Sequence, residues 1–233
     1  MKIAVVQHRL RETAAEDARA LAAAAMTAAD QGAEFVVLPE ALSLHTEGLE
    51  RELLTELLES VPAFCLIPHV GPEVAGLGFV TALPVGCGVS DQLGAIALLV
   101  GDACMDPAEL PAVAAERPAL ATLIPRSETD LQAEAVLELA LQLSSSLSGL
   151  VLVAECAGAE AGEPGHGGSA IVLLGDLVAE AGEGDDILMA DVALPIPQPS
   201  PREPLPAIPP LLAQRFAHDL GRTLIPEYPA DLS

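Results

Sequence analysis

A mixed α/β fold with parallel strands is predicted by three observations. Short apolar runs rich in β-branched residues alternate with helical patterns, the opening strand, helix and strand all fall between Met1 and Glu40, and turn residues close most elements. Ile3 to Val6 is apolar and short, as a fully buried strand requires. Thr13 to Asp30 is an Ala-rich helix, opened by the capping box Thr13-Ala14-Ala15-Glu16 and closed at Gln31-Gly32. Phe35 to Leu38 is a second buried strand that ends at Pro39-Glu40, which completes a βαβ unit. Leu49 to Ser60 reads as an amphipathic helix, and Ala63 to Pro68, Gly78 to Leu83 and Gly94 to Val100 read as strands. Pro107 to Arg117 is predicted helical and Leu120 to Ile124 a strand stopped by Pro125. Glu128 to Ser146 repeats Leu and Ala at helical spacing, and Leu150 to Glu155 is again a strand. Ser169 to Leu174 and Ile187 to Asp191 are predicted to pair antiparallel across the Gly175-Asp176 turn. From Pro195 to Pro210 eight prolines forbid helix interiors and ladder donors, so this stretch is an extended arm, followed by a short helix over Leu211 to Leu220. The expected division is a domain over residues 1–194 and an arm over 195–233.

Composition narrows the function. Lys+Arg is 10 against Asp+Glu 34, for a net charge of -24, so a phosphate-tracking surface lacks its cations and nucleic acid is excluded as a partner. Hydrophobic residues make up 51% of the 233, so a core is assured, but the aromatic share of 2% leaves no stacking platform for bases. Four cysteines, Cys65, Cys87, Cys104 and Cys156, lie far apart with no CxxC pair, which argues against a zinc site or a disulfide framework. They read as thiols of a reducing compartment, and a cytoplasmic protein without metal or cofactor is expected. No apolar stretch reaches the roughly 18 residues of a membrane span, so no membrane partner is expected.

Two anchors carry a family resemblance. Lys2-Ile3-Ala4-Val5-Val6-Gln7, followed by Gly32-Ala33-Glu34-Phe35-Val36-Val37-Leu38-Pro39-Glu40, resembles the first strand and the glutamate-bearing segment of the nitrilase, or carbon–nitrogen hydrolase, superfamily. Gly167-Gly168-Ser169-Ala170-Ile171-Val172, followed by Ala179-Glu180-Ala181-Gly182-Glu183 and Ile187 to Val192, is similar to the end of its domain. The resemblance spans residues 1 to 194 and implies an αββα sandwich. It also implies a Glu, Lys and Cys triad, in which a thiolate attacks an amide or nitrile carbon, the Glu moves protons and the ammonium stabilises developing charge.

Glu40 matches the family's base. The lysine has no counterpart, because Lys2 is the chain's only lysine and opens the first strand; Arg is no simple substitute, being larger and permanently charged. Matching Asp102 to the Asp of the family's nucleophile turn puts Val100 where the cysteine belongs, with Cys104 four residues further on. The interval from Glu40 to Val100 is shorter than the family's, as if the Lys-bearing loop were cut out, and Ser146-Leu147-Ser148-Gly149 stands where a second family Glu is expected. Cys104 also reads as a small buried hydrophobe, Asp102 and Asp106 as helix caps, Cys65 and His69 as core and rim, and His166 as a loop residue. His166, Asp102 and the Gly167-Gly168-Ser169 turn are the candidate binding residues.

Three functions compete. The first is a degenerate nitrilase-fold subunit without hydrolysis, which partners itself or a homologous nitrilase-like subunit. The second is an amide or nitrile hydrolase of altered mechanism that uses Glu40 with Cys104 or His166. The third is a module that binds a small molecule in the old pocket. Assembly as a homodimer, with the arm 195–233 crossing to the partner, follows from the apolar set Leu211, Leu212, Phe216 and Leu220.

Overall fold

A computed structural model describes residues 1–40, 49–67, 77–80, 96–105, 109–116, 118–158 and 166–193. The expected arm 195–210, the helix 211–220 and His69 lie outside the described residues. The elements run β1 (Lys2–Arg9), α1 (Ala14–Asp30), β2 (Phe35–Val37), α2 (Leu49–Leu58), β3 (Phe64–Leu66), β4 (Leu77–Val80), β5 (Ile96–Val100), α3 (Glu109–Glu116), β6 (Leu120–Ile124), α4 (Asp130–Leu147), β7 (Leu150–Val153), β8 (Cys156–Ala157), β9 (Ala170–Leu173), β10 (Asp176–Glu180) and β11 (Asp186–Asp191). Thr13 caps α1 in the expected box with Glu16. Thr129 caps α4 in a second box with Gln132, which sets the start of that helix at Asp130 rather than Glu128.

Alternation along the strands builds a four-layer molecule. On β1, Ile3 and Val5 point one way and Ala4 and Val6 the other, as the pleat requires. The first set joins Phe35, Val37, Ile96 and Ile124 in a core between the two sheets. The second set packs beneath α1 and α2 with Leu21, Ala25 and Leu54. On the far side of the second sheet, Leu99, Leu123 and Val151 meet Leu139 and Leu143 of α4. The layers are therefore helix, sheet, sheet and helix, the αββα sandwich that the resemblance implied.

Among the described residues the first sheet has the order β11-β1-β2-β3, with β8 added to the end of β1, and the second has the order β10-β9-β7-β6-β5-β4. The strands β1, β2 and β3 run parallel, as do β5, β6 and β7, so each sheet gathers the carboxyl ends of its parallel strands. One expected pairing is corrected. β9 turns at Leu174-Gly175 into β10, while β11 crosses to the other sheet and pairs with β1 from Lys2↔Asp191 to Gln7↔Asp186. The strand β10 escaped the sequence pattern because its side chains are largely exposed and show no apolar face, whereas Leu188 and Ala190 of β11 are buried in the core between the sheets. Leu174 at φ 56° and Gly175 at φ 89° form the left-handed pair of a tight hairpin turn.

Candidate functional site

Two apolar strands end alike, Leu38-Pro39-Glu40 after β2 and Ile124-Pro125-Arg126 after β6. Proline cannot continue the ladder, so each chain leaves its sheet at that point and presents a charged residue at the carboxyl end. The two residues meet. Arg126 Nε donates to Glu40 Oε2 at 3.0 Å, and Nη2 stands 2.8 Å from Oε1, a charge contact without hydrogen-bond alignment. The Glu40 side chain is 4% exposed against 38% for Arg126, so a buried carboxylate from the first sheet is covered by a half-open guanidinium from the second.

Glu155, two residues beyond β7, supports this pair from behind. Its Oε1 accepts the Ser127 N–H at 2.7 Å, which ties down the residue next to Arg126. Burial pushes its carboxyl group up to about 7, against the opposing pull of the Ser127 hydroxyl and N–H and of His166. Ser169 fixes the Glu155 backbone twice, its Oγ accepting the Glu155 N–H at 3.0 Å and lying 3.2 Å from the Glu155 carbonyl oxygen. The Ser169 N–H in turn donates to Gln7 Oε1 at 3.0 Å, and Gln7 Nε2 donates to the carbonyls of Gly182 and Gly184. A polar chain therefore runs from Gln7 on β1 through Ser169, Glu155, Ser127 and Arg126 and returns to the first sheet at Glu40.

The candidate binding residues 166 to 169 serve this chain. Gly167, at φ 80°, leaves room for the Gln7 amide, which a Cβ there would meet at 3.1 Å. Gly168 shares the left-handed backbone, and Ser169 is fully buried. His166 turns outward: Nε2 donates to the Glu128 carbonyl at 2.7 Å, and Nδ1 lies 2.9 Å from Asp130 Oδ1.

The positions expected to carry the nucleophile separate. Val100 ends β5 level with Ile124, at the same strand ends as Arg126, and is buried in the core between the sheets. Cys104 lies in the short 3₁₀ turn Gly101–Met105, which also holds Asp102. Its Sγ donates to the Leu99 carbonyl at 3.2 Å, and its side chain belongs to the core under α4, across the sheet from Val100. Lys2 Nζ donates to the Gln31 carbonyl at the opposite end of β1 from Glu40.

Sequence reasoning passed over Arg126, Glu155 and Cys156. The shared apolar-Pro-charge ending of two strands was the available signal for Arg126, and a lone acid directly after an apolar strand was the signal for Glu155. Cys156 pairs with β1 at His8. Burial above all, then the charges of Asp17, Glu155 and Glu40, push its thiol strongly up, while Arg126 pulls the other way. Such a thiol stays protonated at neutral pH. Among the described residues no group of His, Cys, Asp and Glu is arranged to hold a metal ion, and no helix is long and apolar enough to cross a membrane.

No family model and no curated protein matches the chain by sequence. Solved structures do share its fold. An amidase from Nesterenkonia sp. superposes with a TM-score of 0.62 at 19% identity, over 82% of this chain and 90% of the amidase. A double mutant of that amidase in complex with acrylamide gives 0.62 at 18% identity, over 83% and 90%. A further mutant, showing the Michael addition of acrylamide at its active site cysteine, gives 0.61 at 18%, over 83% and 93%. The Nesterenkonia amidase is of the nitrilase superfamily. The chain thus has the nitrilase fold.

Proposed function

We propose that this chain is a relative of the nitrilase-superfamily amidases that has lost thiol-dependent hydrolysis and serves as a non-catalytic subunit. One observation carries the reading: where a covalent route needs a thiol and an ammonium beside the glutamate, the strand ends hold Val100 in apolar packing and Arg126 clamped on Glu40. An isopropyl group forms no acyl intermediate. The Arg126 Nε–H takes Glu40 Oε2 and Nη2 lies against Oε1, so the guanidinium stands where a substrate proton would have to approach. Cys104 offers no second route, because its sulfur is turned into the core beneath α4. The proposed partner is a second copy or a homologous nitrilase-like subunit, and the sequence of residues 195–233, proline-dense and then apolar at Leu211, Leu212, Phe216 and Leu220, supports an arm that reaches it.

Covalent trapping tests the loss of the thiol route. Acrylamide and fluoroacetamide, which add to the active site cysteine in mutants of the Nesterenkonia amidase, are incubated with the folded protein and the adducts are mapped by peptide mass spectrometry. The expected result is an unmodified Cys104 under native conditions and modification only after unfolding. Rapid native modification at Cys104 would overturn the reading.

A further inference from the structure

Among the described residues the exposed large apolar side chains are Leu174 at 50%, Leu177 at 43% and Val178 at 48%, and all three lie on the β9–β10 hairpin. Apolar residues scattered singly over a surface are ordinary, whereas a group gathered on one hairpin marks a contact surface. β10 is the edge of the second sheet, and its pairing with β9 shifts between Leu177 and Ala179. Val178 is thus the extra residue of a bulge: it and Leu177 both face out, while Ala179 packs against the core between the sheets. The bulge breaks the regular spacing of this edge and disfavours pairing with another strand, which leaves side-chain packing as the way to cover it. Exposed Asp176 and Glu180 flank the two apolar residues.

We propose that Leu177 and Val178 are the docking surface for residues 211–220 of a second copy of this chain. The inference rests on the proposed reading of residues 195–233 as an arm that reaches a partner, and it names where on that partner the arm lands. Because Glu40 meets Arg126, the carboxyl ends of the parallel strands of both sheets share one pole of the molecule, and their amino ends share the other. The Leu174-Gly175 turn lies at the amino pole, where Leu173 is opposite Leu150 at the start of β7. β11 ends at the same pole, with Asp191 opposite Lys2 and the Val192 N–H bonded to the Met1 carbonyl. The arm therefore starts on the side of the molecule that carries the hairpin. The proline-dense residues 195–210, extended at about 3.1 Å each, reach about 50 Å, whereas facing sheets lie about 10 Å apart. Such an arm overshoots its own hairpin and reaches that of a neighbouring subunit. It delivers Leu211, Leu212, Phe216 and Leu220, an apolar set at helical spacing that matches the apolar edge. Charge agrees as well. In a chain of net charge -24, residues 202–222 hold Arg202, Arg215 and Arg222 against Glu203 and Asp219, and they meet an edge flanked by Asp176 and Glu180. Exchanged by a two-fold axis, each hairpin receives the other subunit's segment and the contact closes on itself.

A photo-cross-linker on the edge itself reports what covers it. Val178 of the full chain is replaced by benzoylphenylalanine, the protein is irradiated, and products are separated by mass on denaturing gels and mapped by peptide mass spectrometry. The expected product has twice the chain's mass and joins position 178 to the segment 211–220. Links to that segment within a single chain, links to the β10 strand of a second copy, or no link at all would each overturn the proposal. Leu177→Asp provides a second measurement, because the side chain is exposed and its loss leaves the core intact. Dissociation of the dimer, followed by light scattering over a concentration series, is expected to weaken by about tenfold or more. Unchanged dissociation would overturn the proposal. A protein that stays monomeric defeats the arm reading and this inference together, whereas a dimer whose links avoid residues 211–220 defeats the inference alone.

Discussion

At the outer face of β1 the carboxyl group of Asp17, on α1, meets the His8 ring through Nε2 and accepts the Arg11 N–H at 2.9 Å, while Asp185 approaches the same ring at 3.5 Å and pairs with Arg11. Glu155, the residue before Cys156, is equally buried, but its carboxyl oxygen is held by a backbone N–H, with a hydroxyl and His166 beside it. Both acids lie near Cys156 and both are shielded from water. The difference lies in the partner. Burial alone would raise Asp185, yet the Arg9 N–H and Arg11 outweigh it and hold that carboxyl below its ordinary value; at Glu155 burial wins and the carboxyl rises. At half-exposed Asp185 the Arg11 cation and the Arg9 N–H outweigh burial, whereas at Glu155 the Ser127 donors do not, and that carboxyl stays able to bind a proton at neutral pH.

The sharpest way to break this contrast is His8→Ala. It leaves Asp17 fully buried without its ring, and a loss of about 3–5 kcal/mol in urea unfolding at pH 7 is expected, the range for a buried pair stripped of one member. A loss within 1 kcal/mol would mean that Asp17 is satisfied without the His8 ring. Arg126→Ala should cost less, about 2–3 kcal/mol, because its guanidinium is half-open to solvent and water can replace part of it. Adding Glu40→Gln to Arg126→Ala should restore most of that loss, since no buried charge then remains unpaired.

Glu155→Gln should act in the opposite direction. The carboxyl is raised in the folded state from 4.5 to about 7, so its contribution to stability is complete below pH 4.5 and is lost as pH rises through 7. At pH 8 the variant is therefore expected to be more stable than the parent by on the order of 2 kcal/mol, with the advantage gone at pH 4, as measured by denaturant melts at both values. The smallest effect is expected away from both acids. Leu174 holds a left-handed backbone at the β9–β10 turn while half-exposed, so Leu174→Asn should stabilise by about 0.5–1 kcal/mol in the same melts and leave the pH dependence untouched.

The layout of the fold was legible because its elements obey local rules. The Thr13 box, the apolar β-branched strands and the Pro stops after Leu38 and Ile124 mark elements whose ends depend on a few neighbouring residues. The pairing of β11 with β1 was not legible, since nothing local distinguishes a strand that closes a hairpin from one that crosses to the other sheet. The site was half legible. Glu40 stands out by its motif, and the absence of a lysine near it is plain in the composition. Arg126 and Glu155 become partners of that position only when β2, β6 and β7 bring their ends together, a juxtaposition of residues 86 apart in the case of Glu40 and Arg126. Cys104 shows the converse: four residues from Val100 in sequence, it lies across the sheet because the 3₁₀ turn rotates it under α4.

The central claim is that the nitrilase fold is kept here without thiol hydrolysis, and ammonia release tests it most directly. The purified full chain, with Cys104→Ala and Glu40→Gln alongside, is incubated with a panel of small aliphatic amides and nitriles at pH 6 and pH 8. The expected result is no release above buffer from any of the three proteins at either pH. Turnover by the parent that disappears in both Cys104→Ala and Glu40→Gln would contradict the account.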